Sequence, residues 1–390
     1  MDHLLRRVGR KPNPHTYKSE IIARKTRKLF SLQFLGSLSR TKRSIERPSP
    51  FFHIPFKGDT MRTLDSIISD SLNRRDIPIE DCIRMLSFPE DSPEADRIIR
   101  AASDFALDAS GGLGRIAVQI GIITGPCYAD CEFCVFRASS RLMEQYEMSA
   151  SELSTYLRRI LSDGAVSAVS LMSIADFDFR LFLERVKLAR SLLPPSVKIF
   201  TNTGDLSFGE AARLKEAGVD GAYHAIRLGE GIVNMMEPLD RFRTQENLKT
   251  VEIPLFTGVE PIGPEHTPEE IARAFYDALG RGCACCSASA REAVDGTPMK
   301  DMGEISSRRL QQIRSALLLS STSRSISGLG GYGGFYGGFG WAMAEYAGSP
   351  KDVNEVSENG LGRTVEWAKE QLRRDGFTKI LGSDGKAVDL

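Results

Sequence analysis

The rhythm of apolar positions changes near residue 112. Before that point they recur every three or four residues, through TLDSIISDSLNR, IPIEDCIRMLSF and SPEADRIIRAASDFALDA, between Met61 and Ala109. That spacing predicts three amphipathic helices, with Ser92 as the N-cap of the third. After GGLG, short β-branched runs alternate with helical ones. The strand candidates are IAVQIGIITG, AVSAVSLMSI, VKIFTNTG, GAYHAIRLG and VEIPLFTGVEPI. Helices are predicted over SASELSTYLRRILSDG, FRLFLERVKLARSLL, FGEAARLKEAGV, a stretch at or just before NLKTV, PEEIARAFYDALGRG and ISSRRLQQIRSALLLSS.

Strand–helix units in series, without hairpin turns, imply a parallel sheet. This many favour an α/β fold of the (βα) TIM-barrel type, complete or partial, behind an N-terminal helical extension; a doubly wound open sheet is the alternative. Either one gathers ligands beyond the C-terminal ends of its strands. The chain then divides into a basic, poorly patterned extension over residues 1–60, a helical lead-in over 61–110, the barrel over 111–347, and a C-terminal helix and tail over 348–390.

Composition narrows the function classes. Lys+Arg and Asp+Glu are both 51 among 390 residues, so the chain as a whole does not seek polyanions. Thirteen Lys or Arg lie between Met1 and Pro48 against Asp2, Glu20 and Glu46. Without a nucleic-acid-binding motif, this stretch reads as a tail, or as sequence upstream of a true start at Met61; a transit peptide shares its composition. No apolar run approaches the roughly 20 residues that span a bilayer, which argues against a membrane partner. Seven cysteines, six of them in two tight groups, do not space like a disulfide framework. They point to a reducing, cytoplasmic setting and to metal or redox chemistry.

The run SISGLGGYGGFYGGFGWAMAEYAG holds eight glycines from Gly328 to Gly340. Gly328, Gly330 and Gly333 match GxGxxG, but the run follows a helix rather than a strand, so it is not read as a dinucleotide fingerprint. It is read as a close-packed or mobile cover for the barrel mouth. GRTVEWAKEQLRRDGF predicts a closing amphipathic helix.

The chemistry-bearing motif is GPCYADCEFCVF, directly after the first strand candidate. It places Cys127, Cys131 and Cys134 in C-x3-C-x2-C spacing. Three thiolates on one tight loop suit three irons of a 4Fe–4S cluster and leave the fourth iron open. A structural zinc site would want a fourth Cys or His, and His224 and His266 are distant in sequence.

This motif, with Phe133 before the last cysteine, resembles the radical S-adenosylmethionine (SAM) superfamily. LKEAGVDGAYHAIRL, and GTPMKD followed by RLQQIRSALLL, further resemble its group containing biotin synthase, the hydrogenase maturase, 3-methylornithine synthase and the iron-guanylylpyridinol cofactor enzyme. The likeness runs from about Met61 to Ala347. It implies a 4Fe–4S cluster whose open iron chelates SAM, reductive cleavage to a 5′-deoxyadenosyl radical, and attack on an unactivated C–H bond in cofactor biosynthesis. It also implies a small-molecule or carrier-bound substrate, an electron donor such as ferredoxin or flavodoxin, and a second radical SAM subunit as a candidate partner. Carried over by position, Phe133 lies by the adenine. Ser173 stands in MSIAD, where the common form is GGE, and Asn202 ends the third strand. Arg227 and Glu230 are candidates for SAM carboxylate and ribose contacts, with a surface ion pair as the alternative. Glu260 points to the substrate, and His266 is a loop or capping residue.

The second group, GRGCACCSAS, holds Cys283, Cys285 and Cys286. If CACCSAS is the sixth strand, Cys283 and Cys285 share one face and Cys286 takes the other. By resemblance these thiols could ligate an auxiliary iron–sulfur cluster that gives up sulfur, as in lipoyl- or biotin-type insertion, with a further ligand among Arg324, Ser325 or Cys82. The alternative is buried thiols on a crowded strand. The first expectation is sulfur insertion with two clusters; the alternatives are a carbon-skeleton or methyl rearrangement with one, and a non-catalytic iron–sulfur scaffold.

Overall fold

The computed structural model describes residues 62–324, 340–346 and 363–390. All of them belong to one unit, Met61–Leu390. The expectations for residues 1–60, for Ser325 and for most of the glycine-rich run lie outside the described residues.

Three helices, α1 (Leu64–Leu72), α2 (Ile79–Ser87) and α3 (Pro93–Ser110), lead into β1 (Leu113–Thr124). The Ser92 hydroxyl accepts from the Ala95 N–H at 3.2 Å, as an N-cap should. The chain continues through β2 (Tyr146–Glu147), α4 (Ala150–Leu161), β3 (Ala168–Ser173), α5 (Phe179–Leu192), β4 (Lys198–Asn202), α6 (Phe208–Glu216) and β5 (Gly221–Tyr223). Next come α7 (Pro238–Thr250), β6 (Leu255–Ile262), α8 (Pro268–Gly280), β7 (Cys285–Ala290), α9 (Ser307–Leu319), β8 (Trp341–Tyr346), α10 (Val365–Arg374), β9 (Lys379–Leu381) and β10 (Ala387–Asp389). Capping boxes start three of the crossover helices: Ser149 with Glu152, Ser207 with Glu210, and Thr267 with Glu270. Each pair satisfies two of the backbone donors that a helix N-terminus leaves open.

Strands β1, β3, β4, β5, β6 and β7 pair in that order, all parallel, and β8 joins β1 in parallel. This is the expected (βα) barrel in partial form, since β7 and β8 do not pair among the described residues. Arg363 spans that gap with charge. Its guanidinium lies 3.4 Å from Glu345 on β8 and 3.5 Å from Glu292 just past β7.

Two strand readings need correction. GAYHAIRLG is a strand only to Tyr223; from His224 the chain turns away as a loop. WAMAEY, read as part of a glycine-rich cover, is a barrel strand with Arg115–Ile120 as its ladder partner. Nor is the C-terminus helix and tail alone. The β9–β10 hairpin pairs with Leu113 and Gly114 at the start of β1.

Ala117, Ala168, Phe200, Phe256, Cys285 and Trp341, from six different strands, meet in one cluster inside the curve of the sheet. Phe200 and Phe256 pack edge to face there at 4.9 Å. Between the opposite face of the sheet and the helices lies a larger apolar layer. A second such layer holds the lead-in helices against β7, α8 and α9. Gln312 of α9 ties this contact, donating to the Met85 and Phe88 carbonyls.

Candidate active site

The cysteine loop begins where β1 ends, at the C-terminal mouth of the barrel. Gly125 turns the chain at φ 128°, and a Cβ there would lie 2.6 Å from the Gln145 Cα, so the turn needs glycine. Inside the loop the Cys127 N–H donates to Phe136 O, Cys134 N–H to Cys131 O and Arg137 N–H to Cys134 O, at 2.7–3.1 Å. Asp130, at φ 48°, accepts from the Arg137 guanidinium and from both the backbone and hydroxyl of Ser139. Loops from other strands brace it. Met235 N–H donates to Ala129 O, Glu132 N–H to Val233 O, and Met299 N–H to Glu132 O.

All three thiols are free; Cys127 and Cys131 are buried and Cys134 is half-buried. Burial pushes them up to about 11, 12 and 11 respectively. The Arg227 guanidinium opposes this at Cys131 and Cys134. Among the described residues no three His, Cys, Asp or Glu side chains converge on a single metal ion. A four-iron cube takes its thiolates wider apart than one ion does.

The residues read by position separate into two kinds. Phe133 packs, half-buried, on the apolar layer under the loop. Ser173 ends β3 with its buried Oγ lacking any hydrogen-bond partner. The rest of MSIAD wraps the cysteine loop: Ala175 N–H reaches Cys127 Sγ at 3.4 Å, and Asp176 accepts from Tyr128 N–H at 3.3 Å. Asn202 is half-buried at the end of β4, in register with Met172 and Tyr223. Next to it, a Cβ on Gly204 would lie 2.1 Å from Ala175 O, so the β3 and β4 ends touch backbone to backbone.

Arg227 and Glu260 form an ion pair at 3.3 Å, neither fully exposed nor on the outer surface. Glu230 is instead committed to its own loop, accepting from Arg227 N–H at 2.7 Å and from Asn234 Nδ2 at 2.8 Å. The Tyr223 hydroxyl is buried without a hydrogen-bond partner, and burial and Glu260 drive it well above the usual tyrosine range. His266 accepts from Gly263 N–H at 2.9 Å, as a loop residue.

Sequence reasoning missed a buried network beside the mouth. His224 Nε2 lies 3.1 Å from Asp205 Oδ1, which also meets Arg241 at 3.1 Å and Thr244 at 3.3 Å. Arg241 donates further to Ala225 O, and Gln245 to His224 O. Burial, with Arg241 beside it, drives the His224 imidazole down to about 3. Desolvation would raise Asp205, yet the His224 hydrogen bond and the Arg241 charge hold its carboxyl below the usual range. The signal available in sequence was a lone histidine within a strand candidate; its partners lie 17 or more residues away, beyond any local pattern.

The second cysteine group departs from the expected geometry. The strand begins at Cys285, not Cys283, so Cys283 sits in the turn before it. Cys285 joins the cluster inside the barrel, whereas Cys286 faces the helical layer, against which Cys283 also packs. The pair sharing an environment is therefore Cys283 and Cys286. All three lie at the N-terminal end of β7, opposite the mouth that holds Cys127, Cys131 and Cys134. Cys82 is fully buried among the helices, its thiol pushed up to about 12 by burial. Arg324 directs its guanidinium toward Leu279 O.

No family model matches the chain. Biotin synthase of Nocardioides sp. is 25% identical over 225 residues, covering 55% of this chain and 60% of that protein. Biotin synthase of Saccharopolyspora erythraea is 25% identical over 243 residues, covering 60% and 67%. The chain thus spans about three-fifths to two-thirds of these relatives' length. Among solved structures, methylornithine synthase (PylB) superposes with TM-score 0.66 at 15% identity, over 80% of this chain and 96% of that one. The FeFe-hydrogenase maturase HydG from Carboxydothermus hydrogenoformans gives 0.62 at 13%, over 81% and 78%. The fold agrees with both. The two biotin synthases resemble the chain in sequence, and the two solved structures share its fold.

The donor set fits the 4Fe–4S cluster that the cysteine spacing implies. Three free thiols share one braced loop, and Arg227 supplies positive charge beside two of them. The orphaned Ser173 Oγ at the same mouth fits a polar ligand there. Among the described residues no helix is long and apolar enough to cross a membrane.

Proposed function

We propose that the protein is a radical SAM enzyme acting on an unactivated C–H bond of a small or carrier-bound substrate in cofactor biosynthesis. The observation that carries this reading is the braced triad Cys127, Cys131 and Cys134 at the C-terminal mouth of a partial parallel barrel. When bound there, a 4Fe–4S cluster and SAM supply a 5′-deoxyadenosyl radical. The chain's own residues hold, orient and shield. The loop clamps at Ala129 and Glu132 fix the thiols, Arg227 offsets their negative charge, and Glu260 with Tyr223 lines the space where substrate would meet the mouth. A ferredoxin or flavodoxin donor in the cytoplasm belongs to this reading, and a second radical SAM subunit is its candidate partner.

Of the two reaction types, the position of the second cysteine group favours the single-cluster one, a carbon-skeleton or methyl rearrangement. Cys285 is separated from Cys283 and Cys286 by the sheet itself, whereas sulfur insertion with a sacrificial cluster would want the three thiols convergent. The test is anaerobic reconstitution with iron and sulfide, then incubation with SAM and dithionite. Formation of 5′-deoxyadenosine together with about four irons per chain supports the reading. Cluster assembly without any deoxyadenosine would leave an iron–sulfur scaffold instead.

A further inference from the structure

The group at the base of β7 is not explained by the mouth. Cys283 and Cys286 stand in C-x-x-C spacing, with Cys283 in the turn and Cys286 on the first turn-out of the strand. Both side chains pack into the same apolar layer between the sheet and the helices. Both are free, Cys283 half-buried and Cys286 buried among the residues that seat α8 and α9 on the sheet. Gly282, at φ 74°, sets the turn directly before Cys283. Arg281 and Arg324 place positive charge beside Cys283.

We propose that Cys283 and Cys286 form a redox-active dithiol that exchanges with low-molecular-weight disulfides. The two sulfurs have distinct positions suited to the two steps. Cys283, at the surface side and flanked by arginines, attacks one sulfur of the small disulfide; a mixed disulfide forms and one small thiolate leaves. Cys286 then gives up its proton and attacks the Cys283 sulfur. The intramolecular disulfide forms and the second small thiol departs. Two electrons pass from the protein to the small disulfide, and two protons end on the two small thiols. Cys283, half-buried in the turn, is the sulfur a small disulfide can reach, and Cys286, buried on the strand, is the resolving one. Cys285 takes no part, because its side chain is on the other face of the strand.

Trypsin would release Gly282–Arg291, one peptide carrying all three cysteines. The full-length protein, prepared anaerobically, is equilibrated across a series of reduced-to-oxidised glutathione ratios, quenched in acid, alkylated with N-ethylmaleimide under denaturing conditions and digested. In the oxidising range the peptide should carry one maleimide, on Cys285, and should be lighter by two hydrogens, with fragments placing the bridge between Cys283 and Cys286. Cys286→Ser should accumulate glutathione on Cys283; Cys285→Ser should still form the bridge. Three maleimides throughout the series, a bridge that uses Cys285, or a glutathione adduct that persists on wild-type Cys283 would each overturn the proposal. So would iron-dependent protection of all three thiols from alkylation in the reconstituted protein, since that marks a cluster. None of these readouts depends on SAM cleavage, so this proposal and the radical SAM reading stand or fall separately.

Discussion

Arg227 Nε lies 3.3 Å from Glu260 Oε1, joining the loop after β5 to the end of β6 directly beneath the cysteine loop. The same guanidinium acts on Cys131 and Cys134, so one cation serves both the carboxylate that faces the barrel and the thiols that face the mouth. Losing it leaves Glu260 as an uncompensated charge in a largely buried setting. Arg227→Met is expected to cost about 3 kcal/mol in urea unfolding, the low end for breaking a buried pair. Adding Glu260→Gln should restore part of that loss. Equal stability of the single and double variants would show that the pair is not coupled.

The Asp205–His224 contact gives stability a pH dependence. The imidazole titrates near 6.5 when unfolded and is driven to about 3 in the fold. Between those values the unfolded chain holds a proton that the folded chain lacks. Its contribution is therefore complete above about 6.5 and fades as pH falls toward 3. Asp205, held down in the fold, acts in the same direction. Wild-type stability should drop by about 1.4 kcal/mol per pH unit for this one proton. In His224→Gln the slope should flatten by that amount; an unchanged slope would remove His224 as its source.

Alanine at Cys127, Cys131 or Cys134 should each abolish reconstituted iron and the visible absorption of the cluster. Cys283→Ala, Cys285→Ala and Cys286→Ala should leave both intact if the protein holds one cluster. Iron and sulfide analysis of the six proteins decides it, and a halved iron content in the second set would establish a second cluster.

Gly204→Ala tests the backbone contact between the β3 and β4 ends. The added Cβ meets Ala175 O, which cannot rotate aside. The expected loss is about 1–3 kcal/mol, and because Ala175 N–H holds Cys127 Sγ, cluster assembly should suffer with it. Wild-type stability and iron loading in this variant would show that the contact is easily relaxed.

Some of this architecture was legible because its information is local. The spacing of Cys127, Cys131 and Cys134 needs only eight residues and one turn. Ser92, Ser149, Ser207 and Thr267 cap helices through atoms three residues away. Strand WAMAEY was obscured by the glycines before it, and its identity depends on β1 being alongside. The run beginning at His224 looked like continued strand because its residues are apolar enough, yet His224 and Arg241 meet only when β5 and α7 converge on Asp205.

The sequence by itself determined the alternation of strand and helix, the cysteine loop at the end of the first strand, and the existence of a second cysteine group. Only the tertiary structure decided which thiols of that group are neighbours. Alternation along a strand gives two faces but does not locate the residue at which the strand begins. A start at Cys285 rather than Cys283 puts Cys285 inside the barrel and leaves Cys283 with Cys286 outside it. Where a ladder begins is settled by the partner strand, here Phe256 and Thr257 of β6, and no local pattern encodes that.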